Sequence, residues 1–235
     1  MAQKETATQT QAKIHSYILL DRTGSMSPIW DEALSSVNAY AASIAGQAGD
    51  VVPRITLAVF DAQDGLQFDV LRRSVQPDGW QPVTDKEASP RGMTPLFDAI
   101  ARLVSMAEAD NPEKAVIVIM TDGEENASRE VTKTGVKAAL DRAEKRGWEV
   151  VFLGAEFANF SDADAVGISA RKTMAMGRGR MSESMTRLAR KSQVYYASEA
   201  GAPVEFDEMD REEAGEADVQ KRTGQKRKGF FMRKK

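Results

Sequence analysis

Apolar runs that predict strands alternate along this chain with amphipathic stretches of helical spacing. The run Ala115–Met120 (AVIVIM) is apolar throughout, as expected for a central parallel strand covered by helices on both faces. Lys13–Asp21 and Trp148–Leu153 predict further strands, and apolar residues spaced three or four apart after Pro28 predict a helix to about Ala48. We therefore expect an α/β fold with a doubly wound, mostly parallel central sheet in three layers, α/β/α.

One hairpin is expected to interrupt the parallel order. Asp64-Gly65 predicts a tight turn between two strand-like segments, 52–62 and 66–73. The antiparallel pair that results belongs at an edge of the sheet. Residues 74–93 then predict a long loop, and loops of this length are often functional.

The chain is expected to contain one domain with a tail on each side. Apolar periodicity delimits the domain to residues 13–200, which leaves a disordered N-terminus at 1–12 and a disordered tail at 201–235. The tail changes sign along its length. Residues 205–218 contain eight acidic residues and one basic residue, whereas residues 221–235 contain eight basic residues and no acidic one.

Composition restricts the chemistry that the chain can support. There is no cysteine and a single histidine, His15, which excludes disulfides, thiolate nucleophiles and zinc sites built on imidazoles. A bound metal would need oxygen ligands, which favours Mg²⁺, Mn²⁺ or Ca²⁺. Residues 1–13 lack the apolar core of a signal peptide, and no apolar run approaches the roughly 18–20 residues of a membrane span. We expect a cytoplasmic protein without membrane contact.

Side-chain oxygens follow the predicted strands at three places. Asp21, Thr23 and Ser25 come directly after the first strand, and their i, i+2, i+4 spacing lets three oxygens face one point. Thr94 precedes the second predicted helix and suits an N-cap. Asp122 follows the central strand, where a buried carboxylate is costly without a partner or a metal. Taken singly, each place also has a purely structural interpretation as a turn or a helix cap.

Together these places resemble the metal-ion-dependent adhesion site of the von Willebrand factor A family. That family's pattern is Asp-x-Ser-x-Ser, then a distant Thr, then a distant Asp. The segments DRTGSM, GMTPLFDAI and VIVIMTDGEEN are similar to the family, and the resemblance covers roughly residues 13–196. It implies a Rossmann-like fold, and its metal ligands would be Asp21, Thr23, Ser25, Thr94 and Asp122. Thr23 departs from the family's first Ser but keeps the hydroxyl.

The resemblance also implies what the site would bind. The metal would be Mg²⁺ or Mn²⁺, with Ca²⁺ less suited, and one coordination position would stay open. A protein partner would fill this position with a carboxylate, so we expect recognition and no enzymatic activity. The size of the chain and its lack of a signal peptide favour short intracellular members of bacterial or phage type.

Two other functions are compatible with the sequence. Asp21 after a first strand is similar to the aspartyl nucleophile of phosphotransferases, although these enzymes usually have a second acid where this chain has Thr23. The basic segment 221–235 is compatible with nucleic-acid binding. Among the remaining acidic residues, Asp61 is interpreted as a turn residue, and Glu124 and Glu125 as part of a solvated loop.

Overall fold

The structure is a computed structural model that describes residues 14–47, 51–155, 161–199 and 201–224. The strands within these ranges are β1 (Ile14–Asp21), β2 (Arg54–Ala62), β3 (Leu66–Val75), β4 (Lys114–Thr121), β5 (Glu149–Ala155) and β6 (Thr173–Met176). The α-helices are α1 (Trp30–Ala45), α2 (Leu96–Asp110), α3 (Lys133–Lys145), α4 (Ser161–Ala165), α5 (Met181–Ala197), α6 (Glu208–Glu213) and α7 (Glu216–Thr223).

The strands form one sheet in the order β3-β2-β1-β4-β5-β6. β2 and β3 pair antiparallel at one edge, and every other neighbouring pair is parallel. The predicted mostly parallel sheet with one antiparallel edge hairpin is therefore confirmed. Leu20 of β1 pairs with Met120 of β4, so the chain leaves both strands side by side at the same edge of the sheet.

Helices cover both faces of the sheet, as the alternating pattern predicts. Ile18 and Leu20 of β1 pack in a core with α1 and α5, whereas Tyr17 and Leu19 pack in a core with α2 and α3. All residues of β4 after Lys114 are buried. Each fully buried Leu or Ile contributes about 1.5–3 kcal/mol, so the two cores fix the positions at which β1 and β4 end.

The start of α2 differs from the prediction. Pro95 occupies the N-cap position, and the N-cap residue itself makes no side-chain capping hydrogen bond. The interpretation of Thr94 as an N-cap is therefore wrong. Because Thr94 precedes the cap by one residue, its side chain is not used by the helix and takes part in the site described below.

The segment 201–224 is folded, so the prediction of disorder from residue 201 is wrong over this range. Val204, Phe206 and Ala214 are buried in the core that contains α1 and α5. The domain therefore extends past residue 200, at least to residue 224. The other segments that were predicted to be disordered, 1–12 and 225–235, lie outside the described residues. Of the basic segment 221–235, Lys221 and Arg222 belong to α7.

Charged residues of this segment are used for packing, which is why its composition suggested disorder. The Glu216 side chain, which is 4% exposed, accepts a hydrogen bond from the backbone N–H of Ala175 on the edge strand β6, at 3.1 Å. Arg211 forms an ion pair with Glu216 at 3.0 Å. Asp207 and Asp210 form a capping box at the start of α6. These acidic residues thus have backbone or cationic partners.

Replacing Phe206 tests whether the segment belongs to the domain. Phe206→Ala is expected to lower the free energy of unfolding by about 3–5 kcal/mol, because a large buried side chain is lost. Met209→Ala is the control, because Met209 is 62% exposed and its loss should change stability by less than about 0.5 kcal/mol. Urea denaturation of both variants measures the difference, and equal stabilities would show that residues 201–224 do not contribute to the core.

Candidate metal centre

Asp21 ends β1 with its carboxylate fully buried. One carboxylate oxygen accepts a hydrogen bond from the backbone N–H of Thr23 at 2.7 Å. The other accepts a hydrogen bond from the hydroxyl of Thr121, the last residue of β4, at 2.5 Å. The carboxylate is therefore fixed in orientation by the loop that follows β1 and by the end of β4.

A chain of hydroxyls connects the other predicted site residues. The Thr94 hydroxyl donates to Thr23 Oγ1 at 3.4 Å, and a hydrogen bond of 3.1 Å joins Thr23 Oγ1 and Ser25 Oγ. The Ser25 hydroxyl donates to the Asp122 carboxylate at 2.8 Å. The structure thus brings all five predicted residues together, although they come from three separate segments of the chain.

The site is closed on most sides and open at Ser25. Thr23 is 1% exposed, Thr94 is 3% exposed and Asp122 is 6% exposed. Ser25, by contrast, is an exposed residue. Solvent or a ligand can therefore reach the group of oxygens from the side of Ser25.

Two glycines are required by the close approach of these segments. A Cβ on Gly123 would lie 2.9 Å from the Thr94 hydroxyl oxygen and 3.6 Å from that of Ser25, so glycine keeps the space between them free. Gly92 has a φ of +70°, and a Cβ there would lie 2.3 Å from the carbonyl oxygen of Ala62. Gly92 is thus needed to bring Thr94 to the site.

In the part of the chain that the structure describes, the two carboxylates of the site have no cationic partner. Burial raises the pKa of Asp21 to about 7, against the lowering effect of its hydrogen bonds, and the nearby Asp122 raises it further. Burial also raises the pKa of Asp122. Within the described residues, neither carboxylate forms an ion pair with Lys, Arg or His. A cation at this position would stabilise both charged forms.

Arg22 lies between the site residues in sequence but points away from the site. Its guanidinium pairs with Asp61 at 2.7 Å and with Asp69 at 2.5 Å, and Arg91 pairs with Asp61 at 3.1 Å. Asp61 is fully buried within β2, so its interpretation as a turn residue is wrong. These ion pairs join the Asp21–Ser25 loop to the β2–β3 hairpin.

Sequence reasoning missed residues that hold the site residues in place through hydrogen bonds. Thr121 holds Asp21, and the Asn126 side chain accepts a hydrogen bond from the backbone N–H of Thr94 at 2.9 Å. Glu125 accepts hydrogen bonds from the N–H groups of Phe97, Ala127 and Ser128, so its interpretation as a solvated loop residue is wrong, whereas Glu124 is exposed. The available signal was a run of polar residues directly after a buried strand.

The donor set consists of two carboxylates and three hydroxyls. The described residues contain no group of three or more His, Cys, Asp or Glu side chains placed to hold a metal, so a site dominated by carboxylates is absent from this part of the chain. Neutral hydroxyls combined with few carboxylates suit a hard divalent cation such as Mg²⁺ or Mn²⁺. The residues present therefore fit such an ion in their chemistry.

Comparison with known proteins identifies the fold. No family model and no curated protein matches the chain, but solved structures do. The vWF domain of the type V pili tip protein Mfa5 from Porphyromonas gingivalis matches over 79% of this chain and 96% of that domain, with a TM-score of 0.58 and 8% sequence identity. The chain has the von Willebrand factor A fold.

Two further structures share this von Willebrand factor A fold. Manganese-loaded TRAP protein from Plasmodium vivax matches over 74% of this chain and 72% of its own, with a TM-score of 0.55 and 16% identity. The pilus adhesin SpaC from Lactobacillus rhamnosus GG matches over 78% of this chain but 30% of its own length, with a TM-score of 0.62 and 14% identity. At such identities the likeness concerns the fold alone, so the predicted metal site and the short intracellular type stay predictions.

None of the helices in the described residues is long and apolar enough to cross a bilayer. The predicted cytoplasmic location is not tested by this finding and stays a prediction.

The raised pKa of Asp21 predicts an unusual pH dependence of the metal-free protein. Its value of about 7 lies above the ordinary 3.8, so the folded state binds this proton more tightly than the unfolded chain. The resulting stability is complete below about pH 4 and is lost as the pH rises through about 7, in total on the order of a few kcal/mol.

The comparison with Asp21→Asn isolates this effect. Burial lowers the pKa of His15 to about 4, which changes stability in the opposite direction, but His15 is present in both proteins and its effect cancels. Thermal unfolding in chelator from pH 5 to 7.5 should show that wild type loses stability relative to Asp21→Asn as the pH rises. Parallel curves over this range would mean that Asp21 has an ordinary pKa.

Proposed function

We propose that this chain is a metal-dependent protein-binding module. Mg²⁺ or Mn²⁺ would be held by Asp21, Thr23, Ser25, Thr94 and Asp122, and a carboxylate of a protein partner would complete the coordination. The observation that carries the proposal is a buried pair of carboxylates that has no Lys, Arg or His partner in the described part of the chain and adjoins three hydroxyls joined by hydrogen bonds.

Charge and ligand number favour Mg²⁺ or Mn²⁺ over Ca²⁺. The two carboxylates balance the charge of one divalent ion, and burial of two uncompensated charges is otherwise unfavourable. Five candidate donors would leave one position for a further ligand in the six-coordinate shell that Mg²⁺ prefers, whereas Ca²⁺ takes six to eight oxygens. Gly123 supports the proposal, since it keeps free the space that Thr94 and Ser25 adjoin.

A protein carboxylate is the proposed ligand because of how the site opens. When bound, the metal supplies an electrophilic centre that attracts an anionic oxygen. Ser25 is exposed, so a side chain from outside would approach there. Similarity to a pilus adhesin and to a manganese-loaded protein of the same fold supports a role in metal-dependent recognition.

We expect no catalytic turnover at this site. The Asp21 carboxylate is fully buried, and both of its oxygens accept hydrogen bonds, so it is poorly placed to attack a phosphate. Two residues later the chain has Thr23, which lacks the acidic group expected of an aspartyl phosphotransferase. Nucleic-acid binding through 221–235 stays a separate prediction, because residues 225–235 lie outside the described part of the chain.

Calorimetric titration of Mn²⁺ and Mg²⁺ into chelator-treated protein tests the metal site. Wild type is expected to bind one ion, and the double variant Asp21→Asn/Asp122→Asn should show no saturable binding up to millimolar metal. Asp64→Asn is the matched control, because it removes an exposed carboxylate at the β2–β3 turn, and it should bind as wild type does. Equal binding by wild type and the double variant would place the metal elsewhere.

A model peptide pair tests the proposed carboxylate ligand. With Mn²⁺ bound, the relaxation rate of water protons reports the water molecules on the metal. Acetyl-Gly-Glu-Gly-amide is expected to displace water and lower this rate, whereas the otherwise identical Gln peptide should have no effect. Recognition through a carboxylate would be contradicted if the Glu and Gln peptides lowered the rate equally, or if neither peptide changed it at the highest concentration tested.

A further inference from the structure

The segment after β4 is attached to the start of α2 by reciprocal hydrogen bonds. The backbone N–H of Thr94 donates to the Asn126 side chain at 2.9 Å, and the backbone N–H of Asn126 donates to the Thr94 carbonyl at 3.1 Å. One residue therefore binds both backbone polar groups of Thr94. Asn126 follows Asp122 by four residues, so it links two of the proposed metal ligands that come from distant parts of the sequence.

The attachment continues into the first turn of α2. The N–H of Phe97 donates to Glu125 at 2.9 Å, and the N–H of Asp98 donates to the Ser128 hydroxyl at 3.1 Å. The first N–H groups of a helix have no partner within it, and here the segment from Glu125 to Ser128 provides partners.

Asp98, in the first turn of α2, accepts hydrogen bonds from the segment after β4. Its side chain is 3% exposed, and its carboxylate accepts hydrogen bonds from the backbone N–H groups of Arg129, Glu130 and Val131 at 2.8, 3.1 and 2.7 Å. The bonds thus run in both directions between residues 94–98 and residues 125–131. We call these two stretches together the clasp.

The clasp determines where the Thr94 hydroxyl lies. Thr94 precedes α2 without capping it, and its hydroxyl hydrogen-bonds to Thr23 at a long 3.4 Å. The short bonds made by Thr94 are those of its backbone to Asn126. The position of the Thr94 hydroxyl relative to Asp122 therefore depends on Asn126. Asn126 is an exposed residue and is not one of the proposed metal ligands.

We infer that Asn126 is a positioning residue that couples metal binding to the order of the α2 N-terminus. The inference rests on the proposed metal site and adds a form of regulation to it. Coupling free energies are reciprocal: a metal that requires Thr94 in place stabilises the clasp, and an event that loosens the clasp weakens metal binding. A protein bound at residues 125–131 would alter metal affinity without contacting the metal.

The test compares three variants by Mn²⁺ calorimetry and by amide hydrogen exchange. Asn126→Ala removes the acceptor for the Thr94 N–H, and Asn126→Asp retains an acceptor at the same position. Thr132→Ala is the matched control. It also removes one side-chain acceptor from a helix N-terminus, because Thr132 accepts from the Gly135 N–H at the start of α3, at 3.2 Å.

Asn126→Ala is expected to weaken Mn²⁺ binding about 10–100-fold, the range found when partners of metal ligands are removed. Asn126→Asp should bind within a few-fold of wild type, and Thr132→Ala should bind as wild type does. In the metal-free protein, Asn126→Ala should speed amide exchange in residues 94–98. Mn²⁺ should slow this exchange in wild type more than in Asn126→Ala.

The results separate failure of this inference from failure of the proposed function. If wild type binds Mn²⁺ and Asn126→Ala binds equally well, the coupling is wrong and the metal site stands. Equal losses in Asn126→Ala and Thr132→Ala would likewise overturn the coupling, because they would reflect general destabilisation. If wild type binds no Mn²⁺, the proposed function and the coupling both fail, even where exchange shows that Asn126 orders residues 94–98.

Discussion

The site depends on two carboxylates that are buried next to each other and have no Lys, Arg or His partner among the described residues. Asp21 ends β1 and Asp122 directly follows the neighbouring parallel strand β4, and the register of β1 against β4 brings them to the same edge of the sheet. Burial of a charge costs several kcal/mol unless a partner offsets it, and both pKa values are accordingly raised. A positive charge bound here would therefore be stabilising. The hydroxyls of Thr23, Ser25 and Thr94 lie at the same point, Gly123 leaves space between them, and Ser25 is exposed to solvent.

A cluster of ion pairs adjoins the site, but its arginines neutralise other carboxylates and not those of the site. Arg22 and Arg91 are positive, Asp61 and Asp69 are negative, and these four side chains are linked to one another. The cluster is formally neutral by itself. Although Arg22 follows Asp21 directly in the chain, it compensates charges on the hairpin side. Two consecutive residues thus belong to separate charge groups: the charge of Arg22 is balanced by ion pairs, whereas Asp21 has no cationic partner among the described residues.

The sequence contained enough information for the fold and for the oxygens of the site. The apolar strand β4 and the alternation around it predict a parallel sheet, and residues that follow adjacent parallel strands must meet at one edge. The supporting residues were not predictable in this way. Asn126 and Asp98 bind backbone groups about thirty residues away, and such long-range hydrogen bonds, unlike a helix cap, have no fixed spacing in the sequence. The folded segment 201–224 was missed because Glu216 and Asp210 are buried acids, whose composition resembles that of a solvated tail.

Glu216 has a consequence for how the sheet ends. An edge strand offers unpaired backbone groups to any other strand that approaches it. At Ala175 of β6 the N–H is already engaged by the Glu216 side chain, which occupies the place that a carbonyl of a seventh strand would take. The carboxylate therefore acts as a stop on sheet growth, and the neighbouring Arg211 neutralises its charge. In this chain an acidic side chain limits edge-to-edge assembly at a strand that is otherwise short and apolar.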